Sequence, residues 1–340
     1  LMLDPLVYGG GPAGGGAPFG LGAGGTAMRL AAEEAQSPEI ALAYAKLLRS
    51  PATPAAGFIP EPRWNVWTGG YGGANRIAGD STWVGSHDVS ASAGGFAGGV
   101  DYRLWPGTTV GVSLAGGFTS WDLANALGGG GSDAFQAGIY GITRSGPGYI
   151  AGAVSFAEHW MTTDRFAFMG DHLTASFNAQ NYAARIEGGW RLDAFLPGVT
   201  PYVALQAQAL TTPAYSETDV NGGGFGLNFG ARTANDTRSE LGARFNRAML
   251  VGDVGVVNFT ARTAWAHDWV SDPTLAAMFQ TLPGAAFTVT GASLAPNSAL
   301  LSAGSELRFF NGWGVGIHLD GEFAGGAQSY AGTGTVRYAW

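Results

Sequence analysis

From Trp313 to Trp340 the chain alternates oily and polar positions almost without interruption. Trp313, Val315, Ile317 and Leu319 fall on one side, and Gly314, Gly316, His318, Asp320 and Glu322 on the other. In the closing segment Val336, Tyr338 and Trp340 oppose Thr335, Arg337 and Ala339. A period of two places successive side chains on opposite faces of a strand. The same pattern, broken by turn residues, runs back to Arg63 and predicts about twelve strands: 63–75, 87–103, 107–119, 132–144, 148–162, 173–192, 199–212, 232–246, 249–266, 298–310, 313–324 and 328–340. Each is long enough for a tilted strand to cross a bilayer, which takes roughly 9–11 residues.

The connections alternate as well. Those after the second, fourth, sixth, eighth and tenth strands read as short (LWPG, SGP, AFLPGV, a turn around Arg247, NG), whereas most of the others read as long: 76–86, 120–131, 163–172, 213–231 and 267–297. The hairpin at Gly325–Gly326 is the exception. Short turns on one side and long loops on the other are the habit of transmembrane barrels, and an even strand number returns both barrel ends to the short-turn side. The fold class expected is all-β: a twelve-stranded antiparallel transmembrane β-barrel with an N-terminal α-helix in its pore. A soluble sandwich or barrel, its apolar face buried against another sheet, is the competing fold, disfavoured by a dozen long strands with aromatic faces.

Facing follows from charge, because Arg or Lys turned to mid-bilayer lipid costs roughly 2–4 kcal/mol. Arg185, Glu187 and Arg191 oppose Tyr182, Ile186 and Trp190; Arg238, Glu240 and Arg244 oppose Leu241 and Phe245. Asn258, Thr260 and Arg262 oppose Val257, Phe259 and Trp265; Glu306 and Arg308 oppose Leu301, Leu307 and Phe309. These charged groups, with His318, Asp320, Glu322 and Arg337, are expected to line a lumen of mixed sign. The first four strands are too glycine-rich for their facing to be read. Trp265 and Trp269, in WAHDW, are expected in an interfacial aromatic girdle.

Upstream of the strands the pattern changes. Residues 1–36 are a Gly/Ala-rich linker or passenger remnant, and 37–61 hold a helix and a Pro-rich spacer before the barrel domain at 62–340. Ser37 suits an N-cap, Pro38 the first helical position and Glu39 the positive end of the dipole. Ile40, Tyr44, Leu47 and Leu48 share a face, and Lys46 and Arg49 sit near the C-terminal end. A helix of about 14 residues spans about 21 Å, near the hydrocarbon thickness, so it suits a lumen plug. No stretch reads as a transmembrane helix or signal peptide, so targeting information for export is expected upstream of Leu1.

Composition narrows the function. Only 12% of residues are charged, Lys46 is the sole lysine, and the net charge of −8 argues against nucleic acid. The absence of Cys excludes disulfides and Cys-ligated metals. GLGAGG at Gly20–Gly25 matches a dinucleotide fingerprint, but no strand precedes it and no βαβ unit follows. The five His lack ligand spacing, and no nucleophile setting is present, so neither an enzyme nor a cofactor is expected.

Several segments together resemble the C-terminal translocator domain of bacterial autotransporters: RWNVWTGGYGG after a Pro-rich linker, GSHDVSASAGGFAGGVDYRLWPGTTVGVSLAGG, SDAFQAGIYGITRSGPGYIAGA, TRSELGARF, TAWAHDW and the terminal GTVRYAW. The resemblance implies an outer-membrane barrel that carries an N-terminal passenger to the cell surface, with the helix (Glu39, Ile40, Tyr44, Lys46, Leu47, Arg49) in the pore. It also implies insertion by the barrel assembly machinery with periplasmic chaperones, read from Val336, Tyr338 and Trp340. The implied surroundings are outer-membrane lipid and lipopolysaccharide, and the barrel is expected to be monomeric. Some family members cut their passenger at an Asn-Asn pair in the pore; no Asn occurs in 1–64, so that self-cleavage is not expected here, and the passenger is expected to stay attached or to be cut by another protease. The alternatives are a porin-like channel for small solutes and a surface adhesin acting through its long loops.

Overall fold

A computed structural model describes residues 63–79, 87–192, 196–270, 274–282, 286–290 and 296–340. The expected pore helix and the linker before it lie outside these residues.

Twelve long strands form one ring. They are β1 (Trp64–Ile77), β2 (Val89–Trp105), β3 (Thr108–Leu123), β4 (Gly128–Ser145), β5 (Gly148–Phe166), β6 (His172–Trp190) and β7 (Val199–Thr212), then β11 (Arg232–Val251), β12 (Gly255–Val270), β15 (Asn297–Phe309), β16 (Trp313–Ala324) and β17 (Ala327–Ala339). Each pairs antiparallel with its neighbours. The seam closes between first and last strand, from Asn65 opposite Ala339 to Ile77 opposite Ala327. Closure leaves no edge with unpaired backbone groups, the condition for a sheet to sit in hydrocarbon. Five short strands lie in the two longest connections: β8 (Tyr215–Ser216), β9 (Thr218–Asp219), β10 (Leu227–Phe229), β13 (Thr274–Phe279) and β14 (Ala286–Thr290).

Alternation is realised as burial alternation. On β6, Leu173, Ala175, Phe177, Ala179, Asn181, Ala183, Arg185 and Glu187 are buried while Ser176, Asn178, Gln180, Tyr182 and Ile186 are exposed. The outer surface carries Trp64, Trp105, Trp160, Trp190, Trp265, Trp269, Trp313 and Trp340, all at least two-fifths exposed, with Leu, Ile, Val and Phe between them. An apolar band flanked by aromatic girdles is the lipid-facing surface of a membrane barrel.

The structure decides the facing of the first four strands. Asn65, Trp67 and Asn75 of β1 point inward, as do Ala97 and Asp101 of β2, Ser113 and Trp121 of β3, and Gln136, Tyr140 and Ile142 of β4. Phe96, Val112, Leu114, Phe118 and Ile139 point out. The glycines serve packing here. A Cβ on Gly99 would lie 2.6 Å from the ring of Trp67, which is itself 1% exposed. Gly99 is therefore the space into which the inward indole folds.

Three expected connections differ. The turn placed around Arg247 lies further on, because β11 runs to Val251 and the chain reverses at Gly252, whose φ of +53° suits glycine. The expected long loops 120–131 and 163–172 are short. β3 continues to Leu123 and β4 begins at Gly128, so four consecutive glycines are strand; β5 continues to Phe166 and β6 begins at His172. Pairing with β3 and β5 holds Gly129–Gly131 extended although they have no side chains to show alternation.

Candidate functional site: the barrel lumen

The inward faces of the strands form a connected set of ion pairs, built by long side chains reaching between neighbouring and next-neighbouring strands. Arg185 on β6 is its centre. Its guanidinium donates to both carboxylate oxygens of Glu240 on β11 at 2.7 and 2.9 Å, and to Glu187 two residues along its own strand at 2.9 Å. Arg244 donates to the same Glu187 at 2.8 Å, and lies 4.7 Å from the centre of the Tyr202 ring. Tyr149 and Tyr202 complete the coordination, donating to Glu187 at 2.6 Å and to Glu240 at 3.1 Å. Arg262 stands 3.7 Å from Glu240 and donates to Ser302, which in turn donates to Asp320 at 2.7 Å. The side chains of Arg185, Glu187 and Glu240 are at most 5% exposed.

Smaller groups flank it. Arg238 holds Asp268 on β12 (2.5 and 2.9 Å) and Glu322 on β16 (2.8 and 3.2 Å). Because β12 and β15 separate β11 from β16 in the ring, the Arg238–Glu322 pair reaches across three strand spacings. Glu306 pairs with Arg308 at 3.2 Å and with Arg337 at 2.6 Å. His318 lies 3.6 Å from Asp320. Among the first four strands, Asn65 donates to Asp101 at 2.7 Å, Trp67 donates to the Tyr140 hydroxyl at 2.9 Å, and Tyr140 donates to Asp101.

Charges this far from water are tolerated only when paired and hydrogen-bonded. The lumen satisfies that requirement with both signs interleaved. It braces the barrel wall and offers no continuous field of one sign for steering an ion. Among the described residues no group of three or more His, Asp or Glu side chains has a metal-binding arrangement.

Each residue read from the sequence as lumen lining has a definite position. Arg185, Glu187, Arg238, Glu240, Arg244, Arg262, Glu306, Arg308, His318, Asp320, Glu322 and Arg337 belong to the groups just described, and Arg191 sits partly buried below β6 at the short-turn end. Val336, Tyr338 and Trp340 are on the outer face, with Tyr338 stacked on Trp340 at 5.6 Å and tilted against Trp313 at 5.0 Å. Trp265 and Trp269 are also outward, whereas Asp268 between them is inward and holds Arg238. Glu39, Ile40, Tyr44, Lys46, Leu47 and Arg49 lie outside the described residues. Sequence reading missed Asn65, Trp67, Asp101 and Tyr140, since glycine on both faces hides parity. It also missed Tyr149 and Tyr202, whose aromatic rings look like lipid-facing residues until their hydroxyls are placed.

A closed, lipid-belted ring with a densely paired interior defines a class: an outer-membrane barrel whose lumen is a structured interior. The chain belongs to the autotransporter beta-domain family, whose model matches residues 66–320. It is an outer-membrane translocator domain, a transport fold. The translocator domain of the autotransporter NalP from Neisseria meningitidis is similar in structure, with a TM-score of 0.66 and 16% identity over 93% of this chain and 98% of that one. The beta domain of the Bordetella autotransporter BrkA gives a TM-score of 0.61 at 16% identity, covering 82% and 100%. The transport unit of AIDA-I from Escherichia coli gives 0.54 at 12% identity, covering 89% and 98%. No curated protein matches in sequence.

Proposed function

We propose that this barrel exports an N-terminal passenger to the cell surface and then anchors it, with the 37–50 helix closing the lumen. One observation carries the reading: where the chain enters the ring. The backbone N–H groups of Arg63 and Trp64 both donate to the carbonyl of Trp340, at 3.1 and 3.2 Å. First and last strands thus meet at the short-turn rim, the periplasmic side in barrels of this kind. The chain enters the ring at that rim, and in this reading the lumen is the passenger's route to the other side. A lumen of paired charges suits a protein occupant better than free solute flow.

The outward Val336, Tyr338 and Trp340 are the insertion signal in this reading, recognised by the barrel assembly machinery after periplasmic chaperones deliver the chain. The mature barrel works as a monomer among outer-membrane lipid and lipopolysaccharide. An epitope placed before Leu1 tests the proposal. It is expected to be protease-accessible on whole cells, and Trp340→Ser is expected to abolish both this exposure and the heat-modifiable gel band of the folded barrel. An epitope that stays protected while the barrel is folded in the outer membrane overturns the export reading.

A further inference from the structure

The wall reverses its polarity along its length. On β6 the outward residues from Trp190 to Tyr182 are those of a lipid face, but Gln180, Asn178, Ser176 and Thr174 beyond them are polar. β11 does the same with Ser239, Thr237, Asn235 and Thr233. From Asn178, opposite the outward Trp160 of β5, to His172 the strand adds six residues, so this end of the wall stands roughly 15 Å above the girdle at the usual rise and tilt. Inside that projecting wall lies an apolar cluster. Val89, Trp121, Met161, Phe177 and Leu210 form one buried cluster contributed by β2, β3, β5, β6 and β7.

What covers this apolar cup is the connection between β7 and β11. Tyr215 of β8 turns inward and stacks on Phe177 at 4.1 Å, and on its other side Phe229 of β10 stacks at 4.7 Å. Arg165, on the inward face of β5, donates from Nε and Nη2 to the two oxygens of Glu217 at 2.8 and 2.6 Å, and from Nη2 to the carbonyl of Phe225 at 3.0 Å. The Glu217 side chain is 2% exposed and also accepts the Leu227 N–H at 2.9 Å. β10 pairs in turn with β13, from the β12–β15 connection, and Gln280 donates to the carbonyl of Glu217 at 2.6 Å. That second connection leaves the ring at β12, four strands from the β5 that carries Arg165, so the joined sheet bridges a third of the strand order.

We propose that β8–β10, tied to β13, form a lid over the cell-surface end of the lumen, held by the Arg165–Glu217 clasp and the Phe177–Tyr215–Phe229 stack, and that it is a second closure separate from the pore helix. The proposal rests on the translocator reading in one respect: a passenger in transit must displace the lid, and the lid reseats afterwards. A bidentate, nearly buried Arg–carboxylate pair is strong yet separable, which suits a contact that opens and re-forms.

The chain has no Cys, so single thiols report cleanly. In whole cells Met161→Cys, beneath the lid, is expected to react slowly with a membrane-impermeant maleimide, whereas Ser176→Cys on the outer wall reacts fast. Adding Arg165→Met with Glu217→Gln is expected to speed the Met161→Cys reaction by about tenfold or more, as loss of charge-assisted bonds should. An unchanged rate, in protein that still shows the folded gel band, overturns the lid. A lock tests displacement. Thr174 and Thr218 are directly opposed between β6 and β9, the spacing a disulfide needs. With Thr174→Cys and Thr218→Cys, surface exposure of an epitope before Leu1 is expected to fall about tenfold and recover with reductant, by the same reasoning on a blocked opening. Full exposure with the disulfide intact overturns the gate. Absence of exposure in the parent protein fails the translocator reading instead.

Discussion

Glu187 offers the sharpest test of how the lumen is held together. Its carboxylate receives Arg185 at 2.9 Å, Arg244 at 2.8 Å and the Tyr149 hydroxyl at 2.6 Å, with the side chain 1% exposed. Glu187→Gln keeps the shape, removes the charge, and offers one acceptor where two oxygens served three donors. Arg185 retains Glu240. Arg244 is left with the face of Tyr202 as its remaining described partner. Charge-assisted bonds contribute roughly 1.5–3 kcal/mol each, and breaking one side of a buried pair costs about 3–5 kcal/mol. The expected loss for Glu187→Gln is thus about 3–5 kcal/mol. Arg244→Met alone should be milder, because Glu187 keeps Arg185 and Tyr149. The double variant should cost less than the sum by about 1–3 kcal/mol, the coupling expected between groups in direct contact. The assay is urea unfolding of the barrel refolded in lipid vesicles, followed by tryptophan emission and compared at constant m. A loss below about 1 kcal/mol for Glu187→Gln, or strict additivity in the cycle, refutes the view that these charges stabilise one another in a dry interior.

Two further outcomes follow from local geometry. Gly99→Val places a side chain where the Trp67 indole lies, 2.6 Å from the built Cβ, and is expected to destabilise the β1–β2 seam by about 1–3 kcal/mol in the same unfolding assay; full stability would mean that Trp67 has room to move. In the lid, Asp219 accepts N–H groups from Gly224, Gly222 and Gly223 at 2.7, 2.6 and 3.2 Å, and these bonds, Gly224 first, hold its carboxyl below the ordinary value of 3.8. A carboxyl lowered in the folded state contributes stability above its unfolded value and loses it as pH falls through the folded one. Amide shifts of Gly222–Gly224 in an NMR titration should therefore stay constant at neutral pH and titrate with a midpoint below 3.8, and a midpoint at or above 3.8 contradicts the assignment.

Alternation alone determined most of the barrel. Twelve strands, their order, both barrel ends at the short-turn rim and the inward parity of β6, β11, β12, β15 and β16 are all readable, because a charged residue in lipid is costly enough to dictate the face on its own. Parity failed in β1–β4, where glycine fills both faces and only the pairing register with β17 and β5 decides that Trp67, Asp101 and Tyr140 point inward. The turn near Arg247 and the loops 120–131 and 163–172 failed for a related reason, since strand length there is set by hydrogen bonding to a neighbour and local residue type is silent about it. The lid was not visible in the sequence at all. Glu217 meets Arg165 across 52 positions, and Tyr215 finds Phe177 only after the ring has closed. A chain can state which side of a strand is oily; which distant carboxylate an arginine will hold depends on where closure of the sheet puts both of them.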